Sequence, residues 1–423
     1  MLSSMYSGVS GLLSHQTKMD VIGNNIANVN TTAFKSSSVS FEEVFSQLIK
    51  SAQPPSEEGN GGTNPQQIGL GVTIGNINTN MASGSIQRTD NPNDLAIDGE
   101  GFFMVSDGIS QYYTRAGNFN IDRDGSFVSS SGARVLGWNQ NAQGVIDSST
   151  PVEVLNFANL KMEAKATDKI TFTGNINSQT AEYNSTTEEN AILYNITVYD
   201  SLGDNHTITF KFMKTANDNE YDYSIIEDDD NMTVSAGATG GTITFDAMGK
   251  ISTTTVPVTP AITIEFTSGA DDLVIEADNI IFDAKNFTQY ANSTDISGVQ
   301  NGFTSGELEN LSIDRDGKVI GQFTNGLQQH VATLAISSFI NPNGLEKIGA
   351  NMFSATWNSG DPSVGTANTG ERGSIAIGSL EMSNVDLAKE FTEMIVAQRG
   401  FQANSRIITV SDELLQELVN LKR

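Results

Sequence analysis

Both ends of this 423-residue chain carry long seven-residue apolar repeats, and neither end contains proline, because all nine prolines lie between Pro54 and Pro362. Proline breaks helix interiors, so its absence leaves both ends free to form long helices. In the N-terminal stretch Met5, Leu12, Met19 and Ile26 recur every seven residues, with Leu2, Val9, Gln16 and Gly23 interleaved. In the C-terminal stretch Leu387, Met394, Phe401, Ile408 and Leu415 keep the same period, with Phe391, Gln398, Ser405, Asp412 and Val419 expected on the companion seam. The spacing predicts helices over Ser3 to Asn28 and Asn384 to Leu421, about 39 and about 57 Å long at about 1.5 Å per residue. Two such seams at opposite ends can pair with each other. The start and end of the chain then meet, and the rest is an excursion.

The charge follows the same division. The chain holds 50 acidic and 23 basic side chains, a net charge of -27 and a pI near 4.3. Residues 151 to 296 hold 23 acids against seven bases, while residues 1 to 50 hold three of each. So acidic a chain is a poor partner for nucleic acid or anionic lipid. Near-neutral ends are able to crowd together while the acidic middle stays in water.

The middle reads as β structure. Alternation marks Ile170 to Ile176, Asn195 to Tyr199, Thr207 to Phe212, Thr242 to Phe245 and Ile262 to Phe266 as short strands. Residues 51 to 65, with Gln53, Pro54, Pro55, Gly59, Gly61 and Gly62, read as a linker between the first helix and the first strands. One motif occurs twice: Phe119-Asn-Ile-Asp-Arg-Asp-Gly125 returns as Leu311-Ser-Ile-Asp-Arg-Asp-Gly317. Its aspartates lack the further ligands of a calcium loop, whereas Asp-Gly turn chemistry accounts for them, so each copy reads as strand, turn, strand. The two copies flank the acidic segment and suggest one domain interrupted by another.

The expected fold is therefore mixed but mainly β, with nested β domains carried on a coiled-coil-like pair of N- and C-terminal helices. Residues 1–30 plus 384–423 form the helical part, 31–70 plus 381–383 a connector, 71–150 plus 297–380 an inner β domain, and 151–296 an outer inserted one.

Catalytic chemistry finds little to work with. There is no cysteine, and the three histidines, His15, His206 and His330, have no metal-ligand spacing and read as surface or packing residues. The nucleophile elbow, phosphate loop and dinucleotide fingerprint are all missing. The Glu227 to Asp230 run reads as a solvated turn, since adjacent loop carboxylates are not held across a cleft as a glycosidase pair is. We expect no catalytic, cofactor or metal residues and no cofactor. No apolar run reaches the roughly 20 residues of a membrane span, and Met1 to Gly11 lacks the features of a cleaved signal.

Three motifs carry a family resemblance. Gly23-Asn24-Asn25-Ile26-Ala27-Asn28-Val29-Asn30-Thr31-Thr32-Ala33-Phe34-Lys35 is similar to the N-terminal signature of the axial proteins of the bacterial flagellum, the rod and hook family. Leu95-Ala96-Ile97-Asp98-Gly99-Glu100-Gly101-Phe102-Phe103 resembles its second signature. Ser383-Asn384-Val385-Asp386-Leu387, with Met394 to Arg399 (including Gln398) and Gln402 to Ser405, resembles its C-terminal one. Ala33 departs from the pattern, which usually has glycine there. Within the family, Val198 to His206, and Asn341 to Leu345 followed by Gly349 to Asn351, resemble hook subunits, and rod subunits typically lack much of 151–296.

The resemblance implies a structural, non-enzymatic subunit that polymerises into the curved, flexible joint passing torque from rod to filament. It implies export without a cleaved signal to the extracellular flagellum. The implied partners are further copies of itself, the rod and hook–filament junction proteins, the hook cap and the export apparatus, with no nucleic acid and no membrane insertion. The seam residues Met5, Val9, Leu12, Met19, Ile26, Leu387, Phe391, Met394, Phe401, Ile408 and Leu415 are the expected subunit interface. Alternatives are a distal rod-type subunit, or a secreted β-rich polysaccharide-binding protein. A carbohydrate cleft would cluster tryptophans, and the chain has only Trp138 and Trp357.

Overall fold

The computed structural model describes residues 2–52, 62–141, 144–158, 160–186, 189–227, 232–234, 240–255, 262–266, 271, 273–275 and 279–421. The linker residues Gln53 to Gly61 and the acidic residues Asp228 to Asp230 lie outside these. The chain is mainly β with one long helix at each end, α1 (Leu2–Ala27) and α2 (Leu387–Leu421). Helix α2 begins three residues later than the periodicity suggests, because Asp386 caps it. The Asp386 Oδ1 accepts the backbone N–H of Ala388 at 2.9 Å and of Lys389 at 3.3 Å, which satisfies donors that have no partner inside the helix.

The strands fall into two compact units. The first takes residues 1–158, 311–320 and 330–423, and the second takes 159–310 and 321–329. These divisions lie at different residues from the expected ones. Strand Glu153–Val154 pairs with Leu136 and Gly137 in the first unit, and Leu155 is fully buried there. Strand Asp295–Gln300 pairs with Ile170–Asn175 in the second. Side-chain burial and ladder partners set these limits, whereas charge marked only their approximate place.

In the first unit, strands Arg134–Asn139, Phe102–Ser106, Gln111–Thr114, Met352–Ser354 and Glu346–Gly349 are paired in that order. Their core gathers Phe102, Met104, Tyr113, Leu136, Trp138, Phe339 and Phe353, with the Phe102 ring 5.9 Å from both Phe339 and Phe353. The repeated motif forms two tight turns. Gly125 N–H donates to Asp122 O at 2.9 Å and Gly317 N–H to Asp314 O at 3.0 Å, with positive φ at both glycines.

The second unit has its own aromatic core. Its five-stranded antiparallel sheet runs Ile192–Tyr199, Asn205–Lys214, Glu220–Glu227, Thr242–Phe245, Ile251–Thr255. Phe172, from a three-stranded sheet, stacks on Phe282 at 5.2 Å and meets Phe210 edge-on at 4.8 Å. The alternation that predicted these strands is the alternation of buried and half-exposed side chains along them.

One expectation is corrected. The linker does not separate the first helix from the first strands, since Ser37–Glu43 and Ser46–Lys50 already precede it. Ser37–Glu43 pairs with Val72–Thr79, and Ser46–Lys50 with Gln66–Gly69, so the linker joins two halves of an antiparallel arm. The serines of Ser37-Ser38-Val39-Ser40 hid the strand, because without apolar residues alternation has no contrast.

Candidate subunit interface

Helices α1 and α2 run antiparallel within the first unit. Gly8 and Gly11 lie against Asn404 and Ile408, His15 lies against Gly400, and Asn25 lies against Glu390. Small residues make the approach close. A methyl group built on Gly11 would sit 2.5 Å from Asn404 Nδ2, and one on Gly400 would sit 2.5 Å from His15 Nε2. On α2 the residues turned inward are Met394, Ala397, Phe401, Asn404, Ile408, Ser411 and Leu415. The main seam therefore has the expected register, but its companion is Ala397, Asn404 and Ser411, one residue before the expected Gln398, Ser405 and Asp412, which are exposed. Glycines on α1 select this face, since only small or flexible partners fit opposite them. Lys18 on α1 adds an ion pair to Glu393 at 3.2 Å.

The turn after α1 is held by side chains from both ends of the chain. Asn25 is fully buried: its amide donates to Ser37 O at 2.8 Å and to Glu390 Oε1 at 3.2 Å, and its Oδ1 accepts Ser37 N–H at 3.0 Å. Asn384 does the same from the other end, accepting Ser36 N–H at 2.8 Å and donating to Asn80 O at 2.8 Å and Ala82 O at 3.0 Å. Asn28 bonds back to the Asn24 carbonyl at 2.9 Å, while Asn30 stays exposed. Ala33 is buried with φ 58, so this turn does require a positive φ, and alanine bears a strain of about 1–2 kcal/mol that glycine would not.

Beneath this joint is a buried charge cluster. Lys35 Nζ donates to Glu381 Oε1 at 2.6 Å and to Ala82 O at 2.9 Å. Arg115 Nη1 donates to Glu381 Oε2 at 3.4 Å, and Gly84 N–H donates to Glu381 Oε1 at 2.8 Å. Arg115 also lies 5.2 Å from the Phe102 ring centroid and 3.7 Å from Glu100 Oε2. Burial pulls the Lys35 pKa below its ordinary value, and the Glu381 charge opposes that pull. Phe34 is buried under Lys347, whose Nζ sits 5.3 Å from its ring.

The second motif has a steric reading. Gly99 and Gly101 have φ of 118 and 129, and a methyl there would sit 2.9 Å from Gly373 Cα and 2.7 Å from Ile336 Cγ2. Asp98 ends a strand paired with Ser374–Ile377, and Phe102 enters the core. Ser383 Oγ accepts the Val385 N–H at 3.4 Å. Arg399 is exposed and reaches only Gln402, at 3.3 Å.

The outside of the helix pair is mixed, and many of its exposed side chains are apolar. Tyr6, Val9 and Leu13 on α1, and Leu387, Phe391, Ile395, Val396, Ile407, Val410, Leu414 and Val419 on α2, are all exposed. Of the expected interface residues, Val9, Leu387 and Phe391 lie on this outer surface, while Met5, Leu12, Met19, Ile26, Met394, Phe401, Ile408 and Leu415 are half-buried. Sequence reasoning missed the antiparallel arm, where Phe41, Val44, Phe45, Leu48, Ile49 and Ile68 are exposed too. It also missed Glu381 and Arg115, since a charge cluster between distant segments leaves no periodic trace. Among the described residues no cluster of histidine, aspartate and glutamate has metal-site geometry.

Family models match four segments: flagella basal body rod protein over residues 5–35, flagellar hook protein FlgE/F/G D1 domain over 96–178, flagellar basal body protein FlaE D2 domain over 159–303, and flagellar basal body rod FlgEFG protein C-terminal over 376–421. The chain is 36% identical to the flagellar hook protein FlgE of Borreliella burgdorferi and 34% identical to that of Treponema pallidum, in each case over the whole of both chains. It is 33% identical to the flagellar basal-body rod protein FlgG of Bacillus subtilis, again over the whole of both.

Proposed function

The chain belongs to the flagellar hook protein family and is a structural subunit of the hook, and from that premise we propose how its parts divide the work. The α1–α2 pair lines the inside of a helical tube. Its outer apolar face, with Val9, Leu387 and Phe391, docks on the pairs of neighbouring copies, while the half-buried Met5, Leu12, Met19, Ile26, Met394, Phe401, Ile408 and Leu415 hold each pair together. The arm formed by Ser37–Lys50 and Gln66–Thr79 reaches between copies. The acidic second unit stays in water, where polar contacts exchange partners cheaply as the tube bends. Heterologous contacts that do not close into a ring extend into a tube, so one kind of subunit suffices. Its remaining partners are the rod, the junction proteins, the hook cap and the export apparatus, and it works outside the cell after export without a cleaved signal.

The observation that carries this reading is the set of exposed apolar side chains along both helices, which the described strands leave uncovered. Phe391→Asp with Ile395→Asp tests it. Both side chains are exposed, so the monomer should keep its melting temperature while tubes vanish from electron micrographs. Normal tubes from the double variant would refute the assignment.

A further inference from the structure

The first unit displays a tryptophan that its own fold does nothing to cover. Trp357 is fully exposed and Ile340 is 95% exposed, whereas Trp138 is buried, with its Nε1 donating to Thr150 O at 2.8 Å. The two loops that carry Trp357 and Ile340 are interlocked. Asn341 Nδ2 donates to Asn358 O at 3.0 Å and Thr356 Oγ1 to Gly344 O at 2.6 Å. Ser359, fully buried, donates through Oγ to Thr356 O at 2.8 Å and accepts Thr356 N–H at 3.0 Å. Gly344 lies so close that a methyl would meet Ser359 N at 2.7 Å. A fixed turn therefore holds a large aromatic ring in water. Rigid presentation of this kind lowers the ordering cost of docking, and tryptophan is the side chain most enriched at interface hot spots.

The same unit carries a recess of about 160 Å³ whose apolar walls are Ala33, Phe34, Ala350, Met352 and Phe353, with Lys35, Lys347 and Asn351 also lining it. The volume is of the order an indole ring fills, most of the exposed wall is apolar, and the Lys347 ammonium is able to lie over an aromatic face. In a homopolymer with head-to-tail contacts every copy carries both the knob and its socket. Copies with a net charge of -27 each repel, so an uncharged anchor favours contact.

We propose that Trp357 of one copy inserts into the Phe34–Met352 recess of a second copy, an inference that rests on the self-assembly described above. The test uses the full chain. In Trp138→Phe, Trp357 is the sole tryptophan, and acrylamide should quench it freely in monomer but severalfold less in sedimented tubes, with a blue shift. Where Trp138→Phe lowers stability, the difference between wild type and Trp357→Phe gives the same signal. Trp357→Ala should keep the monomer melting temperature and raise the concentration at which tubes form by about tenfold or more, the loss typical of a hot spot. The chain has no cysteine, so Trp357→Cys with Ala350→Cys should give intermolecular disulfides in oxidised tubes. Tubes in which Trp357 stays fully quenchable would overturn the anchor, and protection without disulfides would overturn the recess. Failure of wild type to form tubes would strike the self-assembly reading itself.

Discussion

Lys35 and Glu381, 346 residues apart in sequence, form a buried ion pair at 2.6 Å that fastens the turn after the first helix to the strand before the last one. Arg115 shares the carboxylate. Removing the carboxylate charge leaves the buried Lys35 and Arg115 with only the largely exposed Glu100 carboxylate, 3.7 Å from Arg115, as counter-charge. Glu381→Gln should therefore cost about 3–5 kcal/mol, as measured by urea denaturation of the monomer. A loss below about 1 kcal/mol, the scale of surface pairs, would show that the cluster is effectively solvated.

Asp386→Ala removes the cap of α2. The expected loss is about 1 kcal/mol, with fraying of the first turn visible as faster amide exchange at Ala388 and Lys389. Unchanged exchange at those two amides would rule out the capping role.

The glycines of α1 separate two roles of one residue type. Gly23 has no neighbour that a methyl would touch, so Gly23→Ala should stabilise the helix by about 0.5–1 kcal/mol. Gly11 faces Asn404 in the seam, so Gly11→Leu should destabilise by about 1–3 kcal/mol although leucine is a good helix former. Equal signs from the two variants in thermal melts would contradict the antiparallel packing.

Acid should loosen the helix pair. Burial, helped by the Lys18 charge, holds the His15 pKa below its ordinary 6.5, and its Nδ1 is buried without a partner. The unfolded chain then binds the proton more readily than the folded one, so stability is full above 6.5 and falls as pH drops below it. His330, its pKa also lowered chiefly by burial, adds a parallel loss. His15→Gln should flatten part of the melting-temperature profile between about pH 7 and pH 5. A profile identical to wild type would remove His15 as a contributor.

Much of this architecture is legible in the chain because periodicity reports burial. Strands Thr242–Phe245 and Ile262–Phe266 fall where alternation puts them, and both helices end within three residues of the expected positions. The companion seam of α2 lies one residue before the expected one because Ala397, Asn404 and Ser411 are small or polar, and their fit depends on glycines in another helix. The strand Ser37–Glu43 was missed for lack of apolar contrast. Lys35 stood inside a recognisable motif, yet nothing in the motif points to Glu381 or Arg115. An ion pair is a relation between two distant places, and the sequence shows each place singly.

That joint also sets a timetable. Its two halves lie 346 residues apart, so the lock cannot close on a growing chain until the whole stretch between them has been made. Joining ends so far apart costs about 5 kcal/mol of chain entropy, unless domains forming between them shorten the loop first. The β units are thus free to fold early, while the terminal helices wait for each other. A nascent chain keeps its two apolar helices apart, and the paired helices form only after the strands between them have been made.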